Sequence, residues 1–255
     1  MRGEEIAMNF VLIIFFTLLG SIISVALAAW VLLLREKRLK LVMMALIPFA
    51  IGTLLGAAFF GMIPHALEEQ SSGTILPTVL AGLILFFLIE KFALWRHCHE
   101  QPCDIHTRAG TLILIGDSLH NFVDGVAIAA AFAGSVPLGI ATSVAVIAHE
   151  VPQEIGDFAI LLESGFSKTR ALWFNALSSL AALLGAVLTF FLLPLAESLT
   201  PYLLSISAAS FIYIALADLI PGRRASGGLR SLLWELPLMG LGIATIVAFH
   251  LGNGH

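Results

Sequence analysis

The chain has 255 residues, 59% of them hydrophobic and 12% charged, with a mean hydropathy of +0.99. That composition excludes a water-soluble domain and points to an all-α membrane protein, because a backbone in lipid must satisfy its own polar groups and a long apolar helix does so. The formal net charge of −4 is set by loops and buried carboxylates rather than by an acidic or basic surface, so the expected partners are the lipid bilayer and small ions, with no nucleic acid.

A bilayer core needs roughly 20 apolar residues per helix. Eight segments qualify: 9–34, 41–64, 74–95, 110–134, 137–163, 171–193, 201–220 and 231–250. Residues 1–255 thus read as a single transmembrane domain of eight helices. The first span is too long for the apolar region of a signal peptide, and its basic cluster, Arg35, Lys37, Arg38 and Lys40, follows it instead of preceding it. Lys91, Arg96 and Arg108 flank the third loop, Lys168 and Arg170 follow the fifth span, and Arg223, Arg224 and Arg230 follow the seventh. Loops two, four and six hold no Lys or Arg. Basic residues are retained on the cytoplasmic side, so both termini are expected outside, in a multi-pass protein of the cell (inner) membrane.

The fourth and fifth spans break the apolar pattern. Asp117, His120 or Asn121, and Asp124 recur at helical spacing along one face of the fourth. On the fifth, His149 and Gln153 stack one turn apart beside a stripe of Glu150, Glu154 and Asp157. Each of these five carboxylates costs roughly 2.5–3.5 kcal/mol at a helix centre, on the order of 15 kcal/mol together, which is tolerated only where they pair with a cation, face the bundle interior or line a watery path. If the stripes face each other, imidazole nitrogen, amide oxygen and carboxylate oxygen converge on one volume, a mixture suited to zinc and also to iron or manganese. Two ions could share Asp124 or Glu150 as bridges. A metal-free polar network is the bland alternative, but five carboxylates with so few bases require a balancing cation.

Pro152 removes a backbone hydrogen bond and frees the Ala148 carbonyl, which predicts a break or hinge in the fifth span. Gly125 and Gly156 predict close helix approach beside the ligands. Asn175, Ser178 and Ser179 in the sixth span read first as helix-packing contacts and second as residues lining the path. Gly61-Met62-Ile63-Pro64 ends the second span outside and Ala217-Asp218-Leu219-Ile220-Pro221 ends the seventh inside, a hint of inverted repeats. The cytoplasmic loop, residues 96–109, gathers His97, Cys98, His99, Cys103 and His106, a composition that binds metal but lacks zinc-finger spacing. In a reducing cytosol Cys98 and Cys103 are not expected to form a disulfide.

His120-Asn121-Phe122-Val123-Asp124-Gly125 on one span, followed by His149-Glu150-Val151-Pro152-Gln153-Glu154-Ile155-Gly156-Asp157-Phe158 on the next, resembles the ZIP family of divalent metal transporters, in particular the subfamily whose fifth helix reads HExPHE. The resemblance covers essentially the whole chain and implies a ZIP-type bundle. It implies a binuclear site, with His120, Asp124, His149, Glu150 and Gln153 on the first ion and Asn121, Asp124, Glu150, Gln153 and Glu154 bearing on the second. It also implies inward transport by an elevator-like motion of helices one, four, five and six against two, three, seven and eight. The ion is substrate, Zn2+ first, with Fe2+, Mn2+ or Cd2+ as alternatives, and no catalytic residue or catalytic cofactor is expected. A homodimer is left open.

This sequence departs from the family pattern in three ways. Gln153 stands where the subfamily has its second His, which should weaken zinc or favour harder ions. In the second span a family stretch like GDALLHLIPHA appears as Gly56-Ala57-Ala58-Phe59-Phe60-Gly61-Met62-Ile63-Pro64-His65-Ala66, without the acidic residue or the first His. His65 therefore joins Asp117 and Asp157 as a candidate pathway residue. Two other classes fit the same motifs less well: an intramembrane zinc hydrolase, whose HExxH would need a second His where Gln153 stands, and a non-transporting metal sensor.

Overall fold

The apolar runs fold as helices in the computed structural model, which describes residues 3–31, 33–98, 105–192, 197–219 and 228–251. In chain order these are α1 (Gly3–Val31), α2 (Glu36–Gly56), α3 (Ile63–Glu69), α4 (Ser72–Cys98), α5 (Ile105–Gly134), α6 (Val136–Glu163), α7 (Lys168–Leu192), α8 (Thr200–Tyr213) and α9 (Gly228–Leu251). A π-helical segment, Ala57–Met62, joins α2 to α3 in one continuous rod, and α8 continues through a second, Ile214–Leu219. The described residues therefore form eight long rods, as the hydropathy pattern predicts. Among the described residues six stretches, Ile6–Val31, Lys37–Glu69, Ser72–Ile89, Lys168–Leu192, Thr200–Ala217 and Ser231–Phe249, are long and apolar enough to cross a bilayer. The two long helices outside that set are α5 and α6, which carry the polar stripes.

Local chemistry sets the bounds of α6. Ser135, extended at φ −162°, accepts the Leu138 N–H at its side chain, and Pro137 lies in the first turn, where its missing N–H is harmless. At the other end Gly165 takes φ +86°, and the bonds Phe166 N–H to Leu161 O and Gly165 N–H to Leu162 O, both 3.0 Å, close a Schellman cap. Between these ends α6 runs unbroken through Pro152. The expected break is absent, because a single proline removes one N–H while its helical neighbours keep theirs, and packing on both sides holds the axis.

The rods sort into two groups by their packing. α5 packs most extensively on α7, and α1 and α6 complete that group; α2 packs on α9 and α4 on α8 in the other. Glycines make the two tightest crossings reciprocal. A Cβ on Gly125 would strike the Ala182 carbonyl and one on Gly185 the Phe122 carbonyl; likewise Gly52 faces the Met239 carbonyl and Gly242 the Phe49 carbonyl. Gly156 differs from the expectation for it: nothing lies within 4 Å of where its Cβ would be. The seam between the groups runs along α2 and α6, α5 and α8, and α6 and α9.

The two π-helical segments occupy matching positions, each directly before an Ile-Pro pair, Ile63-Pro64 and Ile220-Pro221. The first packs on α8 and the second on α2, so each rests on the rod that contains the other. That reciprocity gives the sequence hint of an inverted repeat a structural counterpart.

Candidate metal centre

Helices α5 and α6 are consecutive, joined at Gly134-Ser135, and lie against one another so that their polar stripes meet. Ligand atoms of His120, Asp124, His149 and Glu150 all fall within 4.8 Å of one another. His120 Nε2 is 3.0 Å from His149 Nε2, 3.5 Å from Glu150 Oε1 and 3.6 Å from Asp124 Oδ2. His149 Nε2 is 3.2 Å from Asp124 Oδ2 and 3.8 Å from Glu150 Oε1. Metal–ligand bonds of about 2.0–2.1 Å in tetrahedral geometry separate ligand atoms by roughly 3.3 Å, so these spacings bracket what one zinc-sized ion requires.

Burial and tautomer agree with that use. The side chains of Asp124, His149 and Glu150 are at most 4% exposed and that of His120 is 15% exposed. Neither carboxylate oxygen of Asp124, Glu150 or Glu154 has a hydrogen-bond partner, an arrangement that is costly in a low-dielectric interior unless a cation balances it. His149 Nδ1 lies 3.0 Å from the Ala145 carbonyl. A carbonyl can only accept, so Nδ1 carries the proton and Nε2 presents its lone pair to the cluster, the outer-partner arrangement typical of a metal-ligating imidazole. From the other group of rods Phe211 on α8 covers His149, ring centroids 5.9 Å apart.

The remaining sequence candidates fall elsewhere. A second polar layer lies about one helical turn from the imidazoles, formed by Asp117 on α5 and by Gln153 and Glu154 on α6; Asn121, next to His120, turns back into it. There Asp117 accepts from the amide nitrogens of Asn121, at 2.9 Å, and Gln153, at 3.4 Å, and from the Ser178 hydroxyl of α7. Asn175, also on α7, donates to the Glu154 carbonyl at 3.3 Å. Asn175 and Ser178 thus do more than pack, closer to the second of the two readings made of them; the signal was two polar residues three apart, on one face of an otherwise apolar helix. Asp157 is half-buried beyond this layer. His65 stands apart from both layers, its ring against Gly134, with Nδ1 3.6 Å from Glu68 and Nε2 4.0 Å from Glu69. His97, Cys98, His99, Cys103 and His106 lie outside the described residues, save that the backbone of His97 and Cys98 ends α4 and that of His106 begins α5.

Packing differs between the two ends of α5 and α6. Toward the α5–α6 junction, Ala127–Phe132 and Leu138, Ala141, Thr142 and Ala145 are all essentially inaccessible. Toward the opposite ends of the two helices, Gly116 and Gly156 have no neighbour within 4 Å of a Cβ position, and Gln153 and Asp157 are partly exposed.

Eight lipid-length rods around a buried His, Asp and Glu cluster define a multi-pass integral membrane protein with residues fit to hold an intramembrane cation. Comparison with known proteins gives the family: the model described as ZIP Zinc transporter matches residues 95–250, and the chain belongs to that family. Zinc transporter ZIP6 of Homo sapiens is 44% identical over 110 residues, 43% of this chain and 15% of the relative. Zinc transporter foi of Drosophila melanogaster is 36% identical over 157 residues, 60% of this chain and 22% of the relative. Zinc transporter zipt-7.1 of Caenorhabditis briggsae is 28% identical over 270 residues, 82% of this chain and 69% of the relative. The chain thus spans less than a quarter of the length of ZIP6 and of foi.

Proposed function

We propose that the protein moves divalent metal ions, zinc foremost and Fe2+, Mn2+ or Cd2+ as alternatives, across the cell membrane into the cytosol through the α5–α6 site. The observation that carries this reading is the convergence of His120, Asp124, His149 and Glu150 in the interior, two imidazoles and two carboxylates with their ligand atoms within 4.8 Å of one another. Asn121, beside His120, and Gln153 and Glu154, one turn beyond His149 and Glu150, bear on a second ion. With the basic loops in the cytosol, the more exposed ends of α5 and α6 face inward, which we take as the open side, and the closely packed, sealed half of α5 and α6 separates the site from the outside. Alternating access then follows from sliding the α1, α5, α6, α7 group along its seam with the other rods, which moves the site as a unit and keeps the ligand geometry.

The hydrolase alternative has no support in the site. Pro152 and Gln153 stand where a second ligand turn would be needed, and the two imidazoles come from different helices. Uptake of radiolabelled zinc and manganese into proteoliposomes, scaled to protein content, tests the proposal. Saturable uptake that is lost with Asp124→Ala supports it. Tight binding with no flux would instead make the protein a sensor.

A further inference from the structure

Asp117 is a buried carboxylate of the two stripes whose side chain is surrounded by donors. It is 4% exposed, between Asn121 at 2% and Ser178 at 4%. Its Oδ1 accepts from Asn121 Nδ2 at 2.9 Å and from Gln153 Nε2 at 3.4 Å, its Oδ2 meets the Ser178 hydroxyl, and its own backbone carbonyl takes a further bond from Asn121 Nδ2 at 3.1 Å. Little lone-pair capacity is left for an ion. The constraint runs the other way. An amide side chain donates at one end and accepts at the other, and Oδ1 can only accept, whichever of Asp117 and Ser178 supplies the proton between them. Both amides must therefore turn their NH2 groups to Asp117 and hold their carbonyl oxygens on the opposite branch.

We propose that Asp117 is a positioning residue that locks Asn121 and Gln153 with their carbonyl oxygens free for the ion, and that it thereby sets the site's tolerance for hard divalent ions. The inference rests on the transport reading above. Asn121 follows His120 directly, and Gln153 lies one turn beyond His149. A flipped amide at either position would present hydrogen atoms to a cation and repel it. Locked, each offers a neutral oxygen, the donor class that suits manganese better than zinc, whereas the imidazoles suit zinc. Ser178, from α7, fixes the carboxylate that fixes both amides.

Isothermal titration of purified, full-length protein with Zn2+ and with Mn2+ tests this. Asp117→Asn, which can face one amide with an NH2 group and so permits a flip, should lose about tenfold or more in affinity, the range for removing an outer partner of a metal ligand, and Mn2+ should lose more than Zn2+. In an Asn121→Ala/Gln153→Ala background the same change should matter by less than about twofold, because the residues it acts through are gone. Ser178→Ala, which keeps the carboxylate, should shift the Mn2+-to-Zn2+ ratio in the same direction and serves where Asp117→Asn does not fold. An undiminished tenfold loss in the double background would make Asp117 a direct ligand and overturn the proposal. So would a single variant within twofold of the parent, or an unchanged ratio in Ser178→Ala. Parent protein that binds neither ion is a different failure, since it removes the transport reading first and this inference with it.

Discussion

His120 on α5 and His149 on α6 point their Nε2 atoms at each other across 3.0 Å, and Asp124 Oδ2 lies within 3.6 Å of both. His149 is locked as an acceptor at that atom by the Ala145 carbonyl, so the pair is arranged around a shared point, which an ion can occupy.

Removing one ligand from that point should stop the cycle without unfolding the bundle. Asp124→Ala and His149→Ala are expected to abolish proteoliposome uptake while remaining monodisperse in detergent. Zinc at 100 times its dissociation constant should stabilise the parent by about 2.7 kcal/mol through linkage, seen as a rise in melting temperature that a chelator reverses. Both variants should lose that rise, and normal uptake by either one would refute the assignment.

Gln153→His should raise zinc affinity. An imidazole there can donate one nitrogen to Asp117 and offer the other to the ion, restoring the subsidiary nitrogen ligand and its carboxylate partner. Calorimetry showing unchanged or weaker zinc binding would contradict this account of the HExPHE departure.

Two glycines beside the site should respond oppositely to a single methyl group. Gly125→Ala drives a Cβ into the Ala182 carbonyl of α7, an overpacking of about 1–3 kcal/mol or more that backbone cannot easily relieve. Gly156→Ala meets nothing within 4 Å and should leave thermal stability within about 0.5 kcal/mol of the parent. Equal melting temperatures for the two variants would show that the α5–α7 crossing is looser than its geometry.

Sidedness can be read by chemical labelling. With Cys98 and Cys103 replaced by Ser, Gly156→Cys should react with a membrane-impermeant thiol reagent from the cytosolic side, and Ala131→Cys, buried in the sealed half, should not react from either side. Faster labelling at residue 131 would reverse the proposed open face.

Much of this was legible in the chain itself. Apolar runs of bilayer length force helices, since lipid offers the backbone no other partner, and the eight rods follow from that alone. Carboxylates and imidazoles at three- and four-residue spacing inside two of the runs named the stripes, because a helix puts such positions on one face whatever surrounds it. The motif pair at His120 and His149 named the family.

What the sequence left undecided were relations between helices. Spacing along α6 groups His149 with Gln153, yet in space His149 joins His120 and Asp124 while Gln153 turns to Asp117; which neighbour wins depends on the offset between α5 and α6, which no single helix encodes. Pro152 predicted a break that packing suppressed, and Gly156 a crossing that never forms, because a local preference worth a few kcal/mol yields to contacts from neighbouring rods. Ser178 acquired its polar partner Asp117 only once Gly125 and Gly185 let α5 and α7 approach closely enough, and Asn175 found its own on α6. The sequence by itself determined which groups must leave water and on which helical faces they lie; only the tertiary structure decided which of them share one cavity, since that is fixed by how closely the rods pack and in what register.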